Sequence, residues 1–359
     1  MKAAVCYEFG QPLLKEDVHL DAPQSGEVRV KIGACAICHS DIHIAEGAWG
    51  GSLPAVNGHE AAGIVSEIGP NVNHVLVGDH FIVSLIRSCG RCFFCSRGQQ
   101  YLCEREFALD RESRLKTAMG QPIEQGISTG GFAEYVVVDQ SQVVTIPKEL
   151  SFESVSLLAC GVITGLGAVV NTAQVPPGSS VVVIGTGGVG LNSVQGAVLS
   201  GAQPVIAIDL VDSKREAAKL FGAKHAINAA DNNVADAVRS LTQGRGADFV
   251  FITVGSGAAL EQGMQLVRRG GTLAVVGMPP DGVKLNIEAV EFAYNGQRIV
   301  GSNMGSTRLD IDVPKLVELY QQGRLKLDEL ITARYPLEEI NVAIEAVKRG
   351  EAIRNVIVF

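Results

Sequence analysis

The 359-residue chain is long enough for about two domains, each able to bury its own core, which excludes a small disulfide-stapled scaffold. Hydrophobic residues make up 47% and charged residues 19%, and the 41 glycines exceed the usual share of about 7%, as in a glycine-punctuated α/β protein. A formal charge of -8 and a pI near 5.5 oppose nucleic acid and anionic membrane as partners, because phosphate binding needs clustered Lys and Arg and no basic run supplies them.

From the amino terminus, "MKAAVCYEFGQPLLKEDVHL" lacks the apolar core and small-residue cleavage site of a signal peptide. No segment approaches the roughly 18 uninterrupted apolar residues of a membrane span, so a cytoplasmic location is the expectation. In a reducing cytosol, clustered cysteines are more often metal ligands or redox groups than disulfides. Up to about residue 160 the chain shows short β-like runs, "EVRVKIGACAI", "AAGIVSEIG", "HFIVSLI" and "GFAEYVVV", broken by Gly, Pro and Asp. They predict an irregular all-β or α+β domain.

Within that region "CAICHSDIH" carries Cys38, and "VNGHEAAG" carries His59 beside Glu60. Then "CGRCFFCSRGQQYLC" places Cys89, Cys92, Cys95 and Cys103 in a C-x2-C-x2-C-x7-C pattern. Four thiolates so close can surround one ion tetrahedrally and leave no position for substrate. Their charge makes the centre a poor Lewis acid, so the pattern points to a structural zinc. An iron-sulfur cluster is the rival, but the x3 spacing followed by Cys-Pro is missing; buried free thiols are the third reading. Further on, "LLACGVITG" supplies Cys160. Singly, Cys38, His59 and Cys160 read as core residues. Together they offer two thiolates and an imidazole, the donor set of a catalytic zinc with an open fourth position. Cys6 and Cys35 are left as small buried hydrophobes.

From about residue 178 the texture changes to apolar runs alternating with helical stretches: "SVVVIG", "PVIAID", "HAIN", "DFVFITVG", "GTLAVVG" and "RIVGS". Six strand candidates at helix-length intervals predict a doubly wound parallel sheet. The first is followed by "GTGGVG", in which Gly185, Gly187 and Gly190 form a GxGxxG turn completed by Gly188 and Val189. Such glycines allow a tight turn, close approach to a pyrophosphate and close helix packing, and the helix amino terminus favours the phosphate charge. A plain glycine turn is the alternative, but the second strand ends in Asp209, nineteen positions past Gly190, where an acid accepts both hydroxyls of an adenosine ribose. A carboxylate there favours NAD over NADP. Lys214 either flanks that ribose or is a solvated surface lysine. A helix at "VPKLVELYQQG" and a terminal β-like "RNVIVF" suggest that the carboxyl end rejoins the first domain.

In their order, "CHSDIH", "GHEAAG", the four-cysteine loop, "CGVITG" and "GTGGVG" with Asp209 resemble the zinc-dependent medium-chain alcohol dehydrogenases over essentially the whole chain. The resemblance implies a Rossmann domain at 162–303 inside a mostly β, GroES-like catalytic domain split between 1–161 and 304–359. A structural zinc lobe falls near 87–105, and a catalytic zinc between the domains. It implies two zinc ions per chain and NAD, with Cys38, His59 and Cys160 as catalytic zinc ligands and Glu60 as an acid that can approach the metal. Asp41 matches the carboxylate that orients the ligand histidine. Ser40 and His43 resemble a relay that carries the substrate proton to the surface. Trp49 and Leu85 fall where relatives line the substrate cleft, although a lone tryptophan also suits a core. His39 stands where many relatives carry an arginine facing the pyrophosphate, and Thr164 and Arg354 where cofactor contacts occur.

The implied function is reversible NAD-linked oxidation of primary, secondary or aromatic alcohols to aldehydes or ketones, in a homodimer or homotetramer. A dehydrogenase of formaldehyde adducts of a small thiol is the alternative within the family. A non-catalytic NAD-binding sensor and a zinc-lacking reductase are rivals opposed by the complete Cys38, His59 and Cys160 set.

Overall fold

The computed structural model describes all 359 residues and divides into two units, Met1–Cys160 with Arg308–Phe359, and Gly161–Thr307. In the first unit the strand Glu27–Ala36 is the spine of a seven-stranded sheet. One of its edges pairs along its length with the antiparallel strand Glu60–Ile68. The other edge is shared by Tyr135–Asp139, opposite residues 27–31, and by the last strand of the chain, Arg354–Val358, opposite residues 34–36. Val28, Val30, Ile32, Val65, Phe81, Phe132 and Val136 meet on the buried side, which is why these runs alternate in polarity. A smaller five-stranded sheet is built around Lys2–Cys6.

The short helix His39–Ala45 begins where the spine strand ends. The Asp41 carboxylate accepts the Cys38 N–H at 3.1 Å, satisfying a donor that a helix start would leave unpaired. The helix expected at "VPKLVELYQQG" runs over Leu309–Gln321, four residues earlier than the apolar spacing from Val313 suggests, with Pro314 inside it. Asp312 stabilises this earlier start by accepting the Arg308 N–H at 2.9 Å.

The second unit holds six strands in the spatial order His225–Asn228, Val205–Asp209, Val181–Ile184, Ala247–Ile252, Val267–Val275 and Arg298–Gly301. Every neighbouring pair is parallel. The chain order reverses direction at Val181–Ile184, whose four side chains are buried as in a strand covered on both faces. The helices Gly188–Leu199 and Asp212–Leu220 follow the first two strands in sequence. No single helix in either unit is long and apolar enough to cross a membrane.

Candidate metal centres and nucleotide site

Three elements of the first unit converge on one buried cluster. Cys38 leads the helix His39–Ala45, His59 and Glu60 begin the strand Glu60–Ile68, and Cys160 follows a short helical turn. The ligand atoms of Cys38, His59, Glu60 and Cys160 all lie within 4.8 Å of one another, and all four residues are buried. His59 Nδ1 donates to Asp41 Oδ1 at 2.8 Å, and the same oxygen accepts the Gly58 N–H at 2.9 Å. This fixes the tautomer and leaves Nε2 as the atom free to ligate. Nε2 of His59 and Oε2 of Glu60 are both buried without a hydrogen-bond partner. Two soft sulfurs and an unsatisfied imidazole nitrogen fit zinc.

The protons in this cluster are unevenly shared. The Cys160 thiol, donating to Cys38, holds Cys38 well below the usual thiol range, and the same bond with burial holds Cys160 well above it. Burial lowers His59, but the Asp41 carboxylate outweighs it and keeps the imidazole protonated well above its ordinary range. Burial pushes Glu60 up to about 8 against the opposing pull of Arg354. Arg354 donates to Glu60 Oε1 at 2.8 Å and to the Ile37 carbonyl at 3.2 Å, with its side chain 5% exposed. A divalent ion would relieve this crowding of acidic groups.

The second set, Cys89, Cys92, Cys95 and Cys103, also brings its four sulfurs within 4.8 Å of one another, with only Cys95 buried. Backbone N–H groups point into it: Cys95 N–H meets Cys92 Sγ at 3.4 Å and, as the leading cause, pulls that thiol down to about 6. A sulfur held by amide donors is already prepared as a thiolate. Cys89 is lowered in the same way, whereas burial raises Cys103 and pushes Cys95 up to about 12, so those two would give up their protons to an ion; four sulfurs this close fit a closed zinc site.

In the second unit, Gly185 and Gly187 lie in the turn between Val181–Ile184 and the helix Gly188–Leu199, and Gly190 lies in that helix's first turn. A Cβ at Gly190 would lie 1.8 Å from the Gly185 carbonyl oxygen, so the fold itself requires this glycine. A Cβ on Gly187 would meet no protein atom within 4 Å, and its φ is an ordinary -73°. The protein does not need glycine there, whereas a phosphate lying against the backbone does, so the turn fits a dinucleotide. Asp209 ends the second strand, partly exposed. Its Oδ2 accepts the Thr186 N–H at 2.6 Å and its Oδ1 the Val211 N–H at 2.9 Å. Lys214 lies in the first turn of the helix Asp212–Leu220 and is partly buried.

The remaining candidates are placed as follows. Ser40 Oγ sits 3.7 Å from Cys38 Sγ, and His43, one turn along the helix, packs its ring on Trp49 with centroids 5.0 Å apart. Leu85 is half-buried two residues beyond the strand His80–Val83, and His39 is exposed. The Thr164 hydroxyl faces Met304 Sδ at 3.7 Å within the second unit. Arg354 directs its guanidinium to Glu60 and Ile37. Sequence reasoning missed that pairing. An arginine opening the apolar run "RNVIVF" was the available signal, because a charge entering a central strand needs a buried counter-ion.

The sequence model described as Alcohol dehydrogenase GroES-like domain matches residues 24–148, and that described as Zinc-binding dehydrogenase matches residues 188–322. The NDMA-dependent alcohol dehydrogenase of Amycolatopsis methanolica is 36% identical over 367 residues, covering 99% of this chain and 98% of the relative. The alcohol dehydrogenase class-3 of Cereibacter sphaeroides is 36% identical over 374 residues, covering 100% of this chain and 99% of the relative. The crystal structure of benzyl alcohol dehydrogenase from Acinetobacter calcoaceticus superposes with a TM-score of 0.94 at 33% identity, covering 100% of this chain and 99% of that one.

Proposed function

Because the chain belongs to the zinc-dependent medium-chain alcohol dehydrogenases, an oxidoreductase family that uses zinc and a nicotinamide cofactor, we propose that it reversibly oxidises small alcohols with NAD. The alcohol loses a hydride to the nicotinamide and a proton to solvent, giving an aldehyde or ketone. The observation that carries the reading is the buried Cys38, His59, Glu60 and Cys160 cluster, with the His59 tautomer fixed by Asp41. With zinc bound the site gains a Lewis acid that makes a substrate hydroxyl acidic near neutral pH, and with NAD bound it gains a hydride acceptor.

The chain's own residues do the rest. Cys38, His59 and Cys160 would hold the metal, and with only two thiolates among them a divalent ion there would stay close to neutral and electrophilic. Asp41 fixes the imidazole. Glu60, tethered by Arg354, would offer a further carboxylate oxygen to a metal held by that cluster. Ser40 relays the proton, accepting it from the substrate as it gives up its own hydroxyl proton toward solvent, and His43, one turn along the helix, is the base that delivers a proton to water. Trp49 and Leu85 line the substrate space and favour flat or slender alcohols. Cys89, Cys92, Cys95 and Cys103 hold a second, structural zinc. A reducing cytoplasm, which keeps these thiols available, is the proposed compartment. The outer edge of Arg298–Gly301 and the exposed Val290 and Tyr294, 76% and 77% accessible, suit a homodimer formed through the nucleotide-binding unit.

Metal analysis with NADH formation from an alcohol panel tests the reading. Two zinc ions per chain and turnover are expected. One zinc without turnover would favour the sensor. The panel includes formaldehyde with small thiols, and turnover confined to that pair would move the assignment to the thiol-adduct branch.

A further inference from the structure

The carboxylate of Asp209 is anchored from the glycine turn by a side chain as well as by the backbone. Thr186, between Gly185 and Gly187, donates its hydroxyl to Asp209 Oδ2 at 3.1 Å, beside its own N–H at 2.6 Å. The Lys214 carbonyl, at 3.2 Å, competes for the same single hydroxyl proton, but Asp209 Oδ2 is both nearer and charged and so takes the larger share of it. Thr186 is fully buried at 0% exposure. Any residue at this position would supply the N–H. Only a hydroxyl adds the second donor, and the β-branch of threonine restricts the rotamers that aim it.

This clasp bears on nucleotide choice. A carboxylate rejects a 2'-phosphate through charge repulsion only if it cannot turn away from the incoming group. Asp209 ends its strand partly exposed, so solvent would accept its carboxylate readily if nothing held it. With Oδ2 bound twice by Thr186 and Oδ1 held by the Val211 N–H, rotation breaks charge-assisted hydrogen bonds. We propose that Thr186 is a positioning residue for cofactor selection, its hydroxyl locking Asp209 so that the site takes an unphosphorylated adenosine ribose and excludes the 2'-phosphorylated one. The inference rests on the NAD reading above.

The test titrates the full-length protein and its Thr186→Val and Thr186→Ser variants with ADP-ribose and with 2'-phospho-ADP-ribose by calorimetry. Neither probe carries nicotinamide, so the readout is binding alone. The wild type is expected to prefer ADP-ribose. Thr186→Val keeps the shape and removes the hydroxyl, and it should shrink that preference by about tenfold, as expected for one hydrogen bond to a charged group. Thr186→Ser should restore most of it. A Thr186→Val protein that binds both probes more weakly with the ratio unchanged means a merely structural role and overturns the proposal, leaving the NAD reading intact. A wild-type preference for the 2'-phosphate overturns the NAD reading and the proposal with it. If Thr186→Val does not fold, Thr186→Ser still decides, because a ratio that collapses despite the retained hydroxyl contradicts the argument.

Discussion

Replacing Asp41 with asparagine isolates the part of the first metal site that the ligands do not supply. Asp41 is 2% exposed and accepts three hydrogen bonds, from Cys38 N–H at 3.1 Å, Gly58 N–H at 2.9 Å and His59 Nδ1 at 2.8 Å. Asparagine keeps one acceptor oxygen and turns the other into a donor. If the oxygen stays toward Gly58 and His59, the new NH2 confronts the Cys38 N–H, donor against donor, next to a ligand cysteine. The loss is one bond to a charged acceptor, about 1.5–3 kcal/mol, which corresponds to roughly 10- to 150-fold in an equilibrium constant. It falls at the metal because both Cys38 and His59 are oriented through this carboxylate. Substitutions of groups that hold metal-ligating histidines typically cost about 10- to 100-fold in affinity, in agreement. Zinc competition against a chromophoric chelator at about pH 7 measures it, with circular dichroism as the check on folding. A folded Asp41→Asn protein that holds both zinc ions within about threefold of wild type would refute the reasoning.

Cys103→Ser should remove one of two zinc ions and lower the thermal midpoint by several degrees, since a closed zinc contributes to folding directly; an unchanged midpoint would show that the lobe stands without metal. The two glycines of the nucleotide turn should separate cleanly. Gly187→Ala has room in the protein and should fold while NADH binding, followed by fluorescence, falls at least about tenfold. Gly190→Ala drives a Cβ to 1.8 Å from the Gly185 carbonyl and should unfold the second unit. His43→Gln should slow alcohol oxidation, with partial rescue by external buffer bases, and an unchanged rate would remove His43 from the relay.

The second unit was legible because its signals are local. The leading strand Val181–Ile184 is a continuous apolar run, the others carry apolar runs at helix-length intervals, and the glycine turn and its acid lie within one βαβ stretch, so the parallel sheet could be read without knowing any long-range contact. The four-cysteine loop is local in the same way. The first metal site is not, since Cys38 and Cys160 stand more than a hundred positions apart and only the donor chemistry joined them. What stayed hidden depends on side-chain direction. Nothing in "RNVIVF" says that Arg354 enters the sheet to meet Glu60, and nothing in "GTGGVG" says that the Thr186 hydroxyl turns back onto Asp209. The buried Arg114 to Glu27 pair, 2.8 and 2.9 Å across 87 positions, is a further case. Such pairings are fixed by the fold and not by spacing, because any lysine or arginine is equally content in water.

The proton distribution in the first site makes a prediction that its geometry alone does not. In the metal-free cluster Cys160 keeps its proton because burial and its bond to Cys38 hold it well above the usual thiol range. His59 keeps its second proton because Asp41 raises it. Both must be lost before the sulfur and Nε2 can ligate, whereas Cys38, held well below the usual range, already lacks its proton. Zinc binding near pH 7 should therefore release about two protons from the ligands. Glu60, pushed up to about 8 by burial, is still mostly protonated at that pH and can add up to about one more when the cation arrives. The sign follows: these groups bind more protons without metal than with it, so zinc affinity rises with pH across the neutral range and falls in acid. Calorimetric titration of zinc into metal-free protein, in buffers of different ionisation enthalpy, counts the protons directly. The Cys103→Ser protein confines the measurement to the first site, and Glu60→Gln should lower the count by the share Glu60 contributes. Release of fewer than about one proton would mean that the metal-free site is already deprotonated, and that the hydrogen bonds from Cys160 to Cys38 and from His59 to Asp41 do not store the protons that the metal displaces.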